Sequence, residues 1–138
     1  MGPCGQCEPV QIYLAAVTRE IQKRVTTYPK IIAKKKKQGV DKLEIFEEIA
    51  KQQRQLNKLF QIEYLFSNPE ITHISGPLAH ELAEELKREL KMRKKCYPRM
   101  IYFKRITQEV ADNEKLIWQS LTKYFEDTYL SIYKLMPA

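Results

Sequence analysis

Val10, Leu14, Val17, Ile21, Val25, Tyr28 and Ile32 recur at threes and fours along the first part of the chain. That spacing puts them on one face of a 3.6-residue helix. It predicts a helix from about Pro9 to Lys37, stopped at Gln38-Gly39, where Gly39 suits the left-handed position that closes a helix. Asp41 is expected to cap a second helix, with Glu44 three residues on completing a capping-box-like pair. That helix carries Leu43, Phe46, Ile49, Ala50, Leu56, Leu59, Phe60 and Leu65 inward and ends near "FSNPE". The stretch "SNPEITHISG", Ser67 to Gly76, has the punctuation of a linker. Pro77 fits the first position of a third helix after Ser75 or Gly76 as cap, with Leu78, Leu82, Leu86, Leu90, Tyr97 and Ile101 as its stripe. Thr107 caps a fourth, whose inward line reads Val110, Ile117, Leu121, Tyr124, Thr128, Ile132 and Leu135.

Two of these helices repeat one line of text. A shift of 69 residues lays "REIQKRVTTYPKII" on "RELKMRKKCYPRMI" and matches Arg19 to Arg88, Glu20 to Glu89, Arg24 to Arg93, Tyr28 to Tyr97 and Pro29 to Pro98. Further on, a shift of 65 lays "LFQIEYL" (Leu59 to Leu65) on "YFEDTYL" (Tyr124 to Leu130). The difference of four residues is close to one helical turn, which a hairpin can lose at its tip while both apolar faces still point inward. Periodicity does not require the paired Tyr-Pro, so the reading is a tandem helical hairpin. Proline removes one amide donor and disfavours helical geometry in the residue before it. Each long first arm is therefore expected to kink or break there, with Tyr28 and Tyr97 packed inward and Pro29 and Pro98 directing the bend.

Only four glycines occur in 138 residues, and Lys, Glu, Leu, Ile and Gln dominate. Period-two alternation is scarce and no hairpin-turn signals bound it. The fold class is all-α: four helices as two tandem Pro-kinked antiparallel hairpins forming a bundle. One domain covers residues 1–138, with hairpins over 9–66 and 77–135 and a linker over 67–76. No apolar run approaches the roughly 20 residues needed to span a bilayer, and the start "MGPCGQCEPV" lacks the pattern of a secretory signal. The expectation is a cytoplasmic protein with no membrane partner.

Charge changes the picture more than composition does. Arg19 to Lys37 holds eight basic residues against Glu20 alone, and Lys87 to Arg105 holds nine against Glu89 alone. The whole chain carries +7, so everything outside those two stretches is net acidic. Dense positive charge around both elbows suits phosphate recognition by ion pairing and counterion release. The candidate contacts are Arg24, Lys30, Lys34, Lys35, Lys36 and Lys37 at the first elbow. At the second they are Lys91, Arg93, Lys94, Lys95, Arg99, Lys104 and Arg105. The elbows lie either on one face or at opposite ends. Cations near a helix carboxyl end are also favoured by the macrodipole alone. Tyr102 and Phe103 stack bases or pack in the core. No helix-turn-helix, zinc-finger or RNA-recognition signature accompanies the charge, so sequence-specific reading is not expected.

Catalytic chemistry finds little support. Cys4 and Cys7 have the spacing of a metal knuckle or redox pair, but the preceding strand a redox motif needs is missing. Cys96, His73 and His80 form no second close pair for zinc. Cys96, flanked by Lys94, Lys95 and Arg99, is expected to be a packed thiol beside Tyr97. His80 has no second Glu-x-x-His partner in the chain. With no nucleophile elbow, phosphate loop or paired acids, the expectation is binding without a cofactor, a metal site or catalysis.

"ELKRELKMRKKCYPRMI" followed by "ITQEVADNEKLIWQSL" resembles a family of small phage and prophage proteins without assigned function. Their pattern is Glu-x-x-x-Glu-Leu/Ile-x-Met-Arg-x-x-Val-Tyr-Pro, then a short turn and a helix beginning near an alanine. Glu89, Leu90, Met92, Arg93, Tyr97, Pro98 and Ala111 match it, over about Leu86 to Tyr124. The resemblance implies a helical hairpin from a mobile genetic element and carries no catalytic residue across. The expected partners are nucleic acid or a nucleoprotein, or alternatively a host protein such as a defence or replication factor. Homo-oligomerisation is compatible with either.

Overall fold

The computed structural model describes residues 7–134 and is all-helical in its regular structure. The chain runs α1 (Cys7–Lys37), α2 (Lys42–Ser67), α3 (Gly76–Tyr102) and α4 (Gln108–Phe125). A π-helical turn, Glu126–Leu130, then leads into a final turn, α5 (Ser131–Lys134). Cys4 and Leu135 lie outside the described residues, as does the side chain of Cys7.

Each hairpin packs on itself, α1 on α2 and α3 on α4, and the two join through α1 against α4 and α2 against α3. The result is a four-helix bundle with α1 and α3 on one diagonal. Cross-helix contacts set the directions. Thr18 to Glu63, Tyr28 to Gln55 and Lys35 to Glu48 run antiparallel from α1 to α2. Short connections leave α1 and α3 pointing the same way. Both hairpin tips therefore stand at one end, and the linker stands at the other.

The core is densest in the linker half. Val17, Leu59, Ile62, Leu82, Leu86, Trp118, Leu121 and Phe125 are all inaccessible to solvent. Each large apolar side chain buried there stabilises the fold by about 1.5–3 kcal/mol. Tyr13, Phe66 and Tyr124 form an aromatic triangle with ring centroids 5.6–6.4 Å apart. The π turn adds a residue to the helical phase, and Tyr129 and Leu130 within it are buried. The Tyr133 hydroxyl donates to the Ile74 carbonyl and ties the last described turn to the linker.

Toward the tips the expected apolar stripe departs from the core. Val25, Leu43, Phe46 and Val110 are 51%, 64%, 65% and 49% exposed, and Phe60 is exposed as well. Length explains Leu43 and Phe46. Arg19 meets Glu114 across the antiparallel α1–α4 contact, so α4, beginning at Gln108, starts near the level of Val25. Beyond that level α1 and α2 continue as a two-helix projection with fewer neighbours. α1 reaches eight residues past Pro29, whereas α3 stops four past Pro98. The first hairpin is thus one turn longer in its first arm.

Neither proline ends its helix, contrary to a break at those positions. The amides they lack would have bonded the carbonyls of Val25 and Lys94. Both of those residues are exposed, so water can satisfy the freed oxygens.

Helix ends follow the expected chemistry with one exception. The Ser75 and Thr107 hydroxyls accept from the amides of Leu78 at 3.3 Å and Val110 at 3.1 Å. Asp41 occupies the corresponding position of α2 but makes no side-chain cap bond. Gly39 closes α1 at φ +75°, with Val40 N–H bonding back to the Lys35 carbonyl. Lys104 closes α3 in the same way at φ +58°, with Arg105 N–H on the Met100 carbonyl.

Up to the π turn, the second halves of the hairpins correspond at a shift of 66 rather than 65. Caps Asp41 and Thr107 then match, as do buried Ile45 and Ala111, Gln52 and Trp118, and Leu59 and Phe125. The shift of 65 would pair exposed Phe60 and Tyr64 with buried Phe125 and Tyr129. The α3–α4 connection is one residue longer, which displaces the text alignment.

Candidate nucleic-acid interface

The charged residues of the two elbows divide into an internal set and an external set. Arg24 and Arg93, expected on the binding surface, are instead buried, at 8% and 9% exposure. Arg24 donates to Glu20 at 2.8 Å within its own helix and also to Glu89 of α3. Arg93 donates to Glu89 at 2.8 Å within its own helix and to Glu20 of α1 at 2.5 Å. The positions matched by the repeat thus make reciprocal bonds across the bundle diagonal. Arg88 adds a 2.7 Å contact to Glu89 and a 2.5 Å contact to Glu85, and Glu85 lies 4.0 Å from Arg24. Three arginines balance three glutamates, so the cluster is neutral as a whole.

Neighbouring groups complete this cluster. The Arg93 guanidinium carbon lies 3.8 Å from the Trp118 ring centroid, a cation–π geometry. Arg93 Nε has no hydrogen-bond partner among the described residues. Tyr28 receives a bond from Arg24 and donates to Gln55, both at 3.3 Å. Burial pushes both Tyr28 and Tyr97 above the ordinary tyrosine range, against the opposing pull of Arg24 and Arg93 respectively. Burial also pushes the Glu89 carboxyl up, but Arg24, Arg93 and their hydrogen bonds outweigh it and hold the group below its ordinary value. Arg24 is held in its charged form, because Glu89 and Glu20 outweigh the cost of burial.

A sequence signal for this cluster exists. Arg24 falls three residues after Ile21 and four before Tyr28, squarely in the apolar line, and Glu20 and Glu89 are the sole acids of their basic stretches. A charge in phase with a core stripe needs a buried partner. The duplicated Glu-x-x-x-Arg supplies one from each hairpin.

The remaining candidates are external. Lys30, Lys34, Lys36 and Lys37 are exposed on the last turns of α1 and enter no ion pair among the described residues. Lys35 is partly covered and sits 3.6 Å from Glu48. On α3 and its turn, Lys91, Lys94, Lys95, Arg99, Lys104 and Arg105 are exposed and likewise unpaired among the described residues. Acidic residues of this end lie on the partner helices, Asp41, Glu44 and Glu47 around the start of α2 and Glu109 and Asp112 on α4. Positive charge is therefore concentrated along α1 and α3 and at their tips.

The second tip also carries an aromatic pair. Tyr102 and Phe103 are 79% and 56% exposed, with rings 5.1 Å apart at 87°, so they do not pack in the core. The Arg99 guanidinium carbon lies 5.8 Å from the Phe103 centroid. Cys96 is exposed rather than packed, because it faces away from half-buried Tyr97 on the helix. His73 and His80 are exposed, and no cluster of metal-ligating side chains occurs among the described residues. No described helix is long and apolar enough to cross a membrane.

No protein family, curated protein or solved structure matches the chain. The functional reading therefore rests on geometry and charge.

Proposed function

We propose that the chain binds nucleic acid by its phosphate backbone, using the hairpin-tip end of the bundle. One observation carries this reading: two exposed cationic tips, unpaired among the described residues apart from Lys35, stand at the same end of the bundle. The Arg–Glu cluster supports it from within, because it fixes α1 against α3 and so sets the spacing of the two cationic ridges. Its neutrality leaves the external lysines as the source of the field. The contacts are Lys34, Lys36 and Lys37 on one tip and Lys94, Lys95, Arg99 and Arg105 on the other. Arg24 and Arg93 position these tips and do not touch the ligand.

The test is affinity for short oligonucleotides as a function of salt. Seven phosphate contacts predict a slope of log K on log salt of about −5 for single strands and −6 for duplex. Reversing Lys34, Lys36 and Lys37 to Glu should weaken binding for all sequences and flatten that slope. Affinity indifferent to salt would remove the reading.

Leu43 and Phe46, both about two-thirds exposed on the longer tip, favour a second reading as a docking module for a host protein. A specific protein retained from nuclease-treated lysate, and lost on Phe46→Ser, separates that reading from the first.

A further inference from the structure

The α3–α4 tip holds a cleft of about 500 Å³ lined by Lys95, Cys96, Arg99, Met100, Phe103 and Arg105. Its volume is within the range of small-ligand sites and admits a single nucleotide. Three of its six side chains are cations, and none is a carboxylate or an amide. The lining therefore offers charge and donors from Lys and Arg, and an apolar face from Phe103 and Met100. It offers no side-chain amide or carboxylate with which to read the edge of a base. That chemistry selects an anion with an attached flat ring.

The backbone of this tip points the same way. Lys104 adopts φ +58°, a conformation that costs a side-chain-bearing residue about 1–2 kcal/mol. The corresponding turn of the first hairpin places Gly39 at φ +75° and avoids the cost. The second hairpin keeps a cation there, between the exposed ring of Phe103 and the cleft-lining Arg105.

We propose that this cleft is a base-stacking site that makes the cationic end prefer single-stranded nucleic acid. One unstacked base lies on Phe103, with its phosphates on Lys95, Arg99 and Arg105. The proposal rests on the reading of that end as a nucleic-acid interface and adds the class of strand. A duplex keeps its bases stacked on one another and cannot offer a ring to Phe103, so it engages only the lysines and arginines.

The experiment compares fluorescein-labelled dT12 with a 12-base-pair duplex by anisotropy at one salt concentration, for wild type, Phe103→Ala and Phe103→Trp. Phe103 is exposed, so both variants should keep the wild-type melting temperature. The expected result is a loss of about tenfold for dT12 in Phe103→Ala, a duplex affinity within twofold of wild type, and retention by Phe103→Trp. Alkylation of Cys96 by iodoacetamide, followed by peptide mass, should slow when dT12 is bound. Salt-dependent binding that Phe103→Ala leaves unchanged, or weakens equally for both strands, overturns the stacking site and spares the interface. Absence of binding to either probe overturns the interface reading and the stacking site together.

Discussion

Replacing Glu89 by Gln keeps the size of the side chain and removes one charge from the centre of the bundle. In the native protein that carboxylate receives Arg24, Arg88 and Arg93. Each contact is worth about 4 kcal/mol of gross attraction at an effective dielectric near 20. Most of the sum is offset by the cost of burying the Glu89 charge, whose side chain is 1% exposed. The substitution leaves the cluster at +1, with two arginine side chains only 10% exposed. Breaking a buried pair from one side costs about 3–5 kcal/mol. With a urea dependence of about 1–3 kcal/mol per molar, the midpoint should fall by at least 1 M at constant slope. Glu84→Gln serves as the control, because its side chain is 72% exposed against Lys87 and should change stability by less than about 0.5 kcal/mol. Glu20→Gln should fall between the two, since Glu20 serves two arginines and is 12% exposed. A loss below about 1 kcal/mol for Glu89→Gln would mean that the cluster is no more stabilising than a surface pair and is not what fixes α1 against α3.

The same carboxylate sets a pH dependence. Its folded pKa is depressed, so its contribution is fully present above its ordinary value of 4.5 and disappears as pH falls through the folded value. Urea melts between pH 7 and 3 should show that decline in the wild type and a shallower one in Glu89→Gln. Lys104→Gly should stabilise the protein by about 1 kcal/mol by relieving the left-handed turn, whereas Gly39→Lys should cost a similar amount; thermal melts decide both. Thr107→Ala should cost about 1 kcal/mol through loss of the Val110 cap. Asp41→Ala, which breaks no cap bond, should stay within about 0.5 kcal/mol.

Local patterns carried much of the fold. Period, the Gly39 turn and the Ser75 and Thr107 caps are properties of adjacent residues, so they can be read in the text. Partners distant along the chain were harder. Arg24 meets Glu89 across 65 residues and Arg93 meets Glu20 across 73; the apolar line marks both arginines as buried charges, but nothing adjacent in the text names the acid each meets across the bundle. The exposure of Phe46 and Leu43 depends on where α4 begins, which is a property of the other hairpin. Text likeness also misled at Phe60, because a one-residue difference in connection length moved the correspondence from 65 to 66. At the binding end, the exposed lysines were legible as charge. That both tips share one end was not, because helix direction in the assembled bundle decides it. The exposure of Tyr102, Phe103 and Cys96 likewise had to come from the folded turn.

The two-way exchange of Arg24 and Arg93 between Glu20 and Glu89 has a consequence for how the molecule assembles. Each hairpin brings one arginine and one glutamate to the exchange, so neither hairpin completes it alone. Severed hairpins would have to find each other in dilute solution. The short span between Ser67 and Gly76 keeps the two halves at a local concentration of about millimolar. A slip of one hairpin along the other by a single residue, about 1.5 Å, draws both cross-links apart together, so the correct alignment is set from two sides at once.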